Sequence, residues 1–241
     1  METADDQPTA LGRAFVLAGG VVFVLSLLGF LDFYLRRSGR VVTDAAAGPG
    51  AALFDVVLFS IFALHHSIFA RTGLRQWVQT RVSGRYERSL YVWISSLLFI
   101  AVYILWRPVP TVSWAVTGPA FVAFTATQVV GILLSVGSAR RLDVLDLAGV
   151  NQGFDRPTSR PAGLVSDGVY GVVRHPIYLG WLLLVWPAPV MTGTRLVFAA
   201  VSTAYLVAAV PFEERSLRRL FGPEYDAYAR RVRWKMLPFV Y

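Results

Sequence analysis

Apolar residues run through this chain in long stretches separated by more polar breaks, most of which carry several arginines. Four of the stretches, at residues 14–34, 51–70, 89–106 and 117–139, are each about 20 residues long, the length a helix needs to cross a hydrocarbon core of about 30 Å. A fifth, at 177–211, would measure about 52 Å as one helix, well beyond that core. Pro187, Pro189 and Gly193 interrupt it. Two short helices, 177–187 and 194–211, joined by a tight turn, are predicted; a single strongly kinked helix is the alternative. From Glu213 the chain turns amphipathic and basic, as in a helix lying on the membrane or capping the bundle. The pattern predicts an all-α polytopic membrane helix bundle of about six spans, with a short C-terminal hairpin and an amphipathic tail. Residues 1–241 read as one integral-membrane domain, in which 1–139 holds four spans and 140–241 holds a polar loop, the hairpin and the tail.

Composition agrees. The chain is 55% hydrophobic and 16% charged, against about 25% charged in soluble domains. Its net charge of +8 is almost all arginine, with Lys235 the only lysine. No basic groove or nucleic-acid motif accompanies the charge, so no nucleic-acid partner is expected; the bilayer and its anionic head groups are. The 71–88 loop, the 140–174 loop and the tail are arginine-rich, whereas 107–116 carries only Arg107. The positive-inside rule puts the rich loops in the cytoplasm of an inner-membrane protein, although Arg36, Arg37 and Arg40 after the first stretch then fall outside. Gly19-Gly20 in that stretch offers a close helix approach. Residues 1–9 are acidic and lack a positive n-region, so no cleaved signal peptide is expected. There is no cysteine, which removes thiolate chemistry and Cys-ligated metal sites; three histidines alone do not suggest a metal. Oligomeric state stays open.

The chemistry concentrates at Arg174-His175-Pro176-Ile177-Tyr178-Leu179-Gly180, where a polar loop meets the hairpin, and at Glu213-Glu214 at its far end. Charges flanking an apolar hairpin are costly and point to function. Pro176 suits a first helical turn. An arginine at a helix N-terminus suits a carboxylate, and the acids suit a cation or hydroxyl groups. A plain ion pair between Arg174 and the glutamates across the hairpin ends is the structural alternative. No G-x-G-x-x-G after a strand, no H-E-x-x-H and no G-x-S-x-G is present, so soluble-type cofactor, zinc and serine-hydrolase readings lack their motifs.

Gly168-Val169-Tyr170, the Arg174–Gly180 segment, Glu213-Glu214 and the Gly222-x-x-Tyr225-x-x-Tyr228 tail resemble the RHP…EE signature of isoprenylcysteine carboxyl and phospholipid methyltransferases. His65-His66-Ser67, Glu87-Arg88-Ser89-Leu90-Tyr91, Trp106-Arg107-Pro108 and Asp146-Leu147-Ala148-Gly149 resemble the methanethiol S-methyltransferase and NnrU-type branch. The resemblance implies S-adenosyl-L-methionine as cofactor, held by Arg174, His175, Tyr178, Gly180, Glu213, Glu214 and Tyr170. It also implies a small thiol as substrate, methanethiol going to dimethyl sulfide. A thiol is mostly protonated at pH 7, and His66 or His65 is the expected proton acceptor, with a structural helix-end histidine as the alternative. Methylation of a lipid amine or prenylcysteine carboxylate, a non-enzymatic NnrU-like role, and a sterol-type reductase are the rival readings; the paired glutamates argue against the last.

Overall fold

The structure is a computed structural model and describes residues 9–42, 49–69, 84–154 and 163–241. Residues 71–83 of the expected arginine-rich loop at 71–88, residues 1–8 of the acidic segment and part of the polar loop, 155–162, lie outside the described residues; residues 84–88, expected in the loop, are the first turn of a helix. Among the described residues, five helices are long and apolar enough to cross a membrane, and Pro176–Val185 is a shorter apolar one. The expected helical membrane bundle is what forms. Two compact units divide it, one of residues 1–33, 60–106 and 143–160, the other of 34–59, 107–142 and 161–241.

In the first unit, α1 (Ala10–Asp32) packs against α3 (Gly84–Leu105). Gly12, Gly19 and Gly29 of α1 receive Tyr86, Trp93 and Tyr103 of α3 in the same order along both helices. The two helices therefore run parallel. A side chain at any of these glycines would collide with the ring, so Gly19 serves the close approach its sequence suggested. Trp93 donates from its indole N–H to the Phe15 carbonyl at 3.0 Å, which removes that donor from a medium without water. Two single-turn helices, α5 (Val144–Leu147) and α6 (Val150–Gly153), dock here. Between them Gly149 adopts φ +75° and lies against the Ser89 backbone. Val16, Ala148 and Val150 form the local core.

The second unit carries the hairpin. Helix α4 (Gly118–Arg140) and helix α7 (Pro176–Val185) touch backbone to backbone. A Cβ on Gly131 would lie 2.5 Å from the Gly180 oxygen, and one on Gly180 would lie 2.6 Å from the Gly131 oxygen. Gln128 bonds the Leu184 carbonyl at 2.8 Å. After α7 the chain turns at Pro187, where the Ala188 N–H donates to the Trp186 carbonyl at 2.9 Å, but it does not pass straight into the next helix. Pro187 and Pro189 lack N–H groups and cannot continue a helix; Val190–Thr192 (β2) instead pairs antiparallel with Val112–Ala115 (β1). This two-stranded ribbon was not anticipated. Ten helical residues rise only about 15 Å, half the depth of a hydrocarbon core of about 30 Å.

Helix α8 (Gly193–Phe221) continues ten residues past Pro211, where the sequence had predicted its end. Proline removes one i→i−4 bond but its φ is helical, so a helix anchored on both sides absorbs it. Gly222, at φ +55°, stops the helix, and α9 (Pro223–Arg231) follows. Glu213 and Glu214 thus lie on α8 rather than in the tail. They stand twenty residues beyond its start, about 30 Å along the axis and at the hydrocarbon edge. At the other end of α8, buried Arg195 bonds the Tyr34 and Leu35 carbonyls at 2.8 and 2.9 Å and the Val190 carbonyl at 2.7 Å. The first two carbonyls belong to the π-helical turn Phe33–Arg37 that ends the first span, so in this unit Arg36 and Arg37 sit at the opposite end of the hairpin from Glu213.

Candidate functional site

Helix α7 starts with His175 as N-cap and Pro176 in the first turn, where the missing N–H costs nothing. The two residues before it are fixed by the tail. Arg174 N–H donates to the Trp234 carbonyl at 2.9 Å and His175 N–H to the Lys235 carbonyl at 2.8 Å. The Arg174 guanidinium bonds within the chain as well. Its Nε and Nη2 each lie 2.7 Å from Glu214 Oε1, and Nη1 donates to the Val232 and Arg233 carbonyls at 2.7 and 3.0 Å. The Arg174 side chain is 8% exposed and that of Glu214 13%. The ion pair across the hairpin ends is therefore present, and it joins hairpin to tail.

His175 faces both acids. Its Nδ1 is 3.4 Å from Glu213 Oε2 and its Nε2 is 3.5 Å from Glu214 Oε1. Burial disfavours the charged ring, but the contacts and negative charges of Glu213 and Glu214 outweigh it and raise the pKa above its ordinary value. Tyr178, one turn on, stacks on the imidazole with ring centroids 5.3 Å apart, and its hydroxyl donates to Glu213. Glu213 is 45% exposed, so of the two acids it is the one open to a ligand.

Behind this cluster lie three tyrosines. Tyr228 donates to the Tyr170 carbonyl at 2.8 Å, and the Tyr170 hydroxyl reaches toward the Ser138 carbonyl at 3.4 Å. Burial pushes the Tyr170 hydroxyl up to about 12 despite the Arg141 charge. Tyr225 is fully buried and its hydroxyl has no well-formed hydrogen bond; burial first, then the Glu214 charge, push it up to about 12. Gly180 sits one face away, in the contact with Gly131 and Ser135, so its visible role is helix packing.

The donor set suits a ligand that carries a cationic amine and hydroxyls. A half-exposed carboxylate, Glu213, is available to an ammonium or to hydroxyl groups. S-adenosyl-L-methionine fits that description.

His65 and His66 belong to the first unit, on α2 (Pro49–Phe69). His66 Nδ1 lies 2.8 Å from the Tyr91 hydroxyl. His65 stacks on the same ring at 6.0 Å and has Nδ1 3.4 Å from Ser95 Oγ. Two motifs that are remote in sequence thus meet through Tyr91. A second such pair closes nearby: Arg88 Nε donates to the Asp146 carbonyl at 2.6 Å and Ser89 Oγ to the Gly149 carbonyl at 3.2 Å. Sequence reasoning missed the tail carbonyls of residues 232–235, because a backbone acceptor leaves no trace in residue type.

Comparison with known proteins adds to this geometry. The phospholipid methyltransferase family matches residues 115–224, which hold the Arg174–Gly180 segment and both glutamates. Methanethiol S-methyltransferase 2 of Bradyrhizobium diazoefficiens is 35% identical over 89% of this chain and 84% of its own length. The methanethiol S-methyltransferase of Crocosphaera subtropica is 35% identical over 95% and 94%, and that of Mycobacterium tuberculosis is 35% identical over 80% and 82%. No solved structure matches the chain.

Proposed function

The chain belongs to the methanethiol S-methyltransferase family of integral-membrane methyltransferases, and we propose that it methylates methanethiol to dimethyl sulfide with S-adenosyl-L-methionine as donor. The observation that carries this is the likeness to methanethiol S-methyltransferases over nearly the whole chain. When bound, the cofactor supplies an electrophilic methyl group on a sulfonium. The thiol sulfur forms the new S–C bond as the old one breaks; S-adenosylhomocysteine leaves and the thiol proton is released.

The chain's own residues do the rest. Glu213 is the acid we assign to the ammonium or ribose of the cofactor. His175, Tyr178 and Tyr170 line the same cluster, and Arg174 and Glu214 hold it together. Placing two reactants in line is the main contribution such a site makes. His66, or His65 beside it, is our proposed acceptor of the thiol proton. We assign residues 140–241 to the cofactor site and 1–139 to the first four spans, in an inner-membrane protein whose site faces the cytoplasm. That orientation is supported by Arg215, Arg218, Arg219 and the tail arginines, which follow Glu213 in sequence.

The test is transfer of labelled methyl from S-adenosyl-L-methionine by the purified chain. Labelled dimethyl sulfide from methanethiol is expected, and none from phosphatidylethanolamine. Binding of S-adenosylhomocysteine without thiol product would sink the thiol reading and favour the lipid amine that the family's name suggests. No binding would sink every methyltransferase version.

A further inference from the structure

The tail after α9 folds into a knot that the proposed chemistry does not use. The main-chain oxygen of Tyr241 accepts N–H bonds from Lys235, Met236 and Leu237, at 2.9, 2.9 and 3.1 Å. Val240 and Tyr241 N–H groups return to the Leu237 carbonyl at 3.1 and 3.0 Å. Lys235 caps the loop, with Nζ 3.1 Å from the Tyr241 hydroxyl and 4.2 Å from its ring centroid. Inside the knot Met236 is buried. Outside it Phe239 is 85% and Val240 72% exposed.

Phe239 has φ +66°, a conformation that a bulky side chain holds only where its surroundings dictate it. The bonds just named dictate it here, and they turn the ring outward against Trp234, with centroids 5.4 Å apart. The same knot carries the carbonyls of Trp234 and Lys235, which take the N–H groups of Arg174 and His175. Whatever holds Phe239 therefore bears on the N-terminus of α7.

The depth of the knot identifies what holds it. His175 caps an apolar helix that begins at Pro176 and lies beside Glu213 and Glu214, near the end of a helix long and apolar enough to cross a membrane, which puts the tail segment bonded to it at the hydrocarbon edge. The residues displayed there are Trp, Lys, Phe and Tyr, the types that settle at that boundary. Exposed Arg230, Arg231 and Arg233 precede the knot, and their charge complements anionic head groups. We propose that residues 234–241 are an interfacial anchor: Phe239 and Val240 insert into the head-group boundary of an anionic bilayer, and this fixes the backbone on which Arg174 and His175 hang. The link to cofactor affinity rests on the function proposed above; the insertion itself does not.

The cysteine-free chain makes the test direct. Phe239→Cys, labelled with a polarity-sensitive dye, is placed in phosphatidylcholine–phosphatidylglycerol nanodiscs that contain lipid spin-labelled at head-group depth. Asp167→Cys, in an exposed loop, is the reference. Quenching at 239 well above that at 167 is expected; equal quenching overturns the anchor. In the same nanodiscs Phe239→Ser, which removes little packing, is expected to bind S-adenosylhomocysteine about ten-fold more weakly than the unaltered chain. Unchanged affinity overturns the positioning role. Failure of the unaltered chain to bind would strike the cofactor reading instead, and the quenching result would still decide the anchor.

Discussion

Arg174 and Glu214, forty residues apart in sequence, share one carboxylate oxygen at 2.7 Å from two guanidinium nitrogens. The contact ties the start of α7 to the end of α8. It also separates the two glutamates by role, since Glu214 is spent on the arginine while Glu213 remains open.

That separation is measurable. Glu214→Ala leaves a buried guanidinium without its counter-charge, and removal of one partner from such a pair costs about 3 kcal/mol or more. Thermal denaturation in detergent should show a clear loss of stability. In alkaline buffer, where the attraction to charged His175 is lost, Glu213→Gln should melt close to the unaltered chain, and it should bind S-adenosylhomocysteine about ten-fold more weakly by isothermal titration. Arg219→Ala should change neither. A Glu213→Gln variant with full affinity would count against the site.

His175 gives a pH signature. Its folded pKa is raised, so its charged-state attraction to Glu213 and Glu214 is fully present below the unfolded value of about 6.5 and is lost as pH rises through the raised folded value. The difference in melting temperature between the unaltered chain and His175→Asn should therefore be largest in mildly acidic buffer and shrink in alkaline buffer. A difference that grows with pH would reverse the assignment.

Gly180 separates packing from ligand binding. A methyl there meets backbone atoms of Gly131 and Ser135 at 2.6 and 2.9 Å, and backbone cannot rotate away. Gly180→Ala should cost about 1–3 kcal/mol through overpacking, while the folded fraction keeps its cofactor affinity. A stable variant with weakened affinity would instead place Gly180 in the cofactor site.

The proton acceptor is tested by His66→Ala and Tyr91→Phe. Loss of a general base typically lowers kcat about 100-fold or more. With His66→Ala the deficit should narrow as pH rises toward the thiol's own ionisation, and cofactor affinity should hold. Tyr91→Phe, which removes the hydroxyl beside Nδ1, should give a smaller loss. A constant deficit at every pH would make His66 structural.

The long apolar runs made the spans legible, because crossing a bilayer demands length and apolarity and little else. Boundaries were less so. Pro211 looked like a stop, yet neighbours on both sides carry α8 through it to Gly222. The β1–β2 ribbon was hidden because short strands in Pro-rich connections have no periodicity to detect. The Arg174–Gly180 segment and the paired glutamates stood out by charge alone. The tail carbonyls that complete the cluster did not, since any residue can supply one.

The sequence by itself determined that this is a helical membrane protein and which charged residues lie at the hairpin's ends, because desolvated charge is too costly to occur there idly. Only the tertiary structure decided which glutamate is occupied, which glycine is packing and what orients His175. Those outcomes depend on distances between segments far apart in sequence, and such distances are set by how helices pack, not by what any one stretch contains.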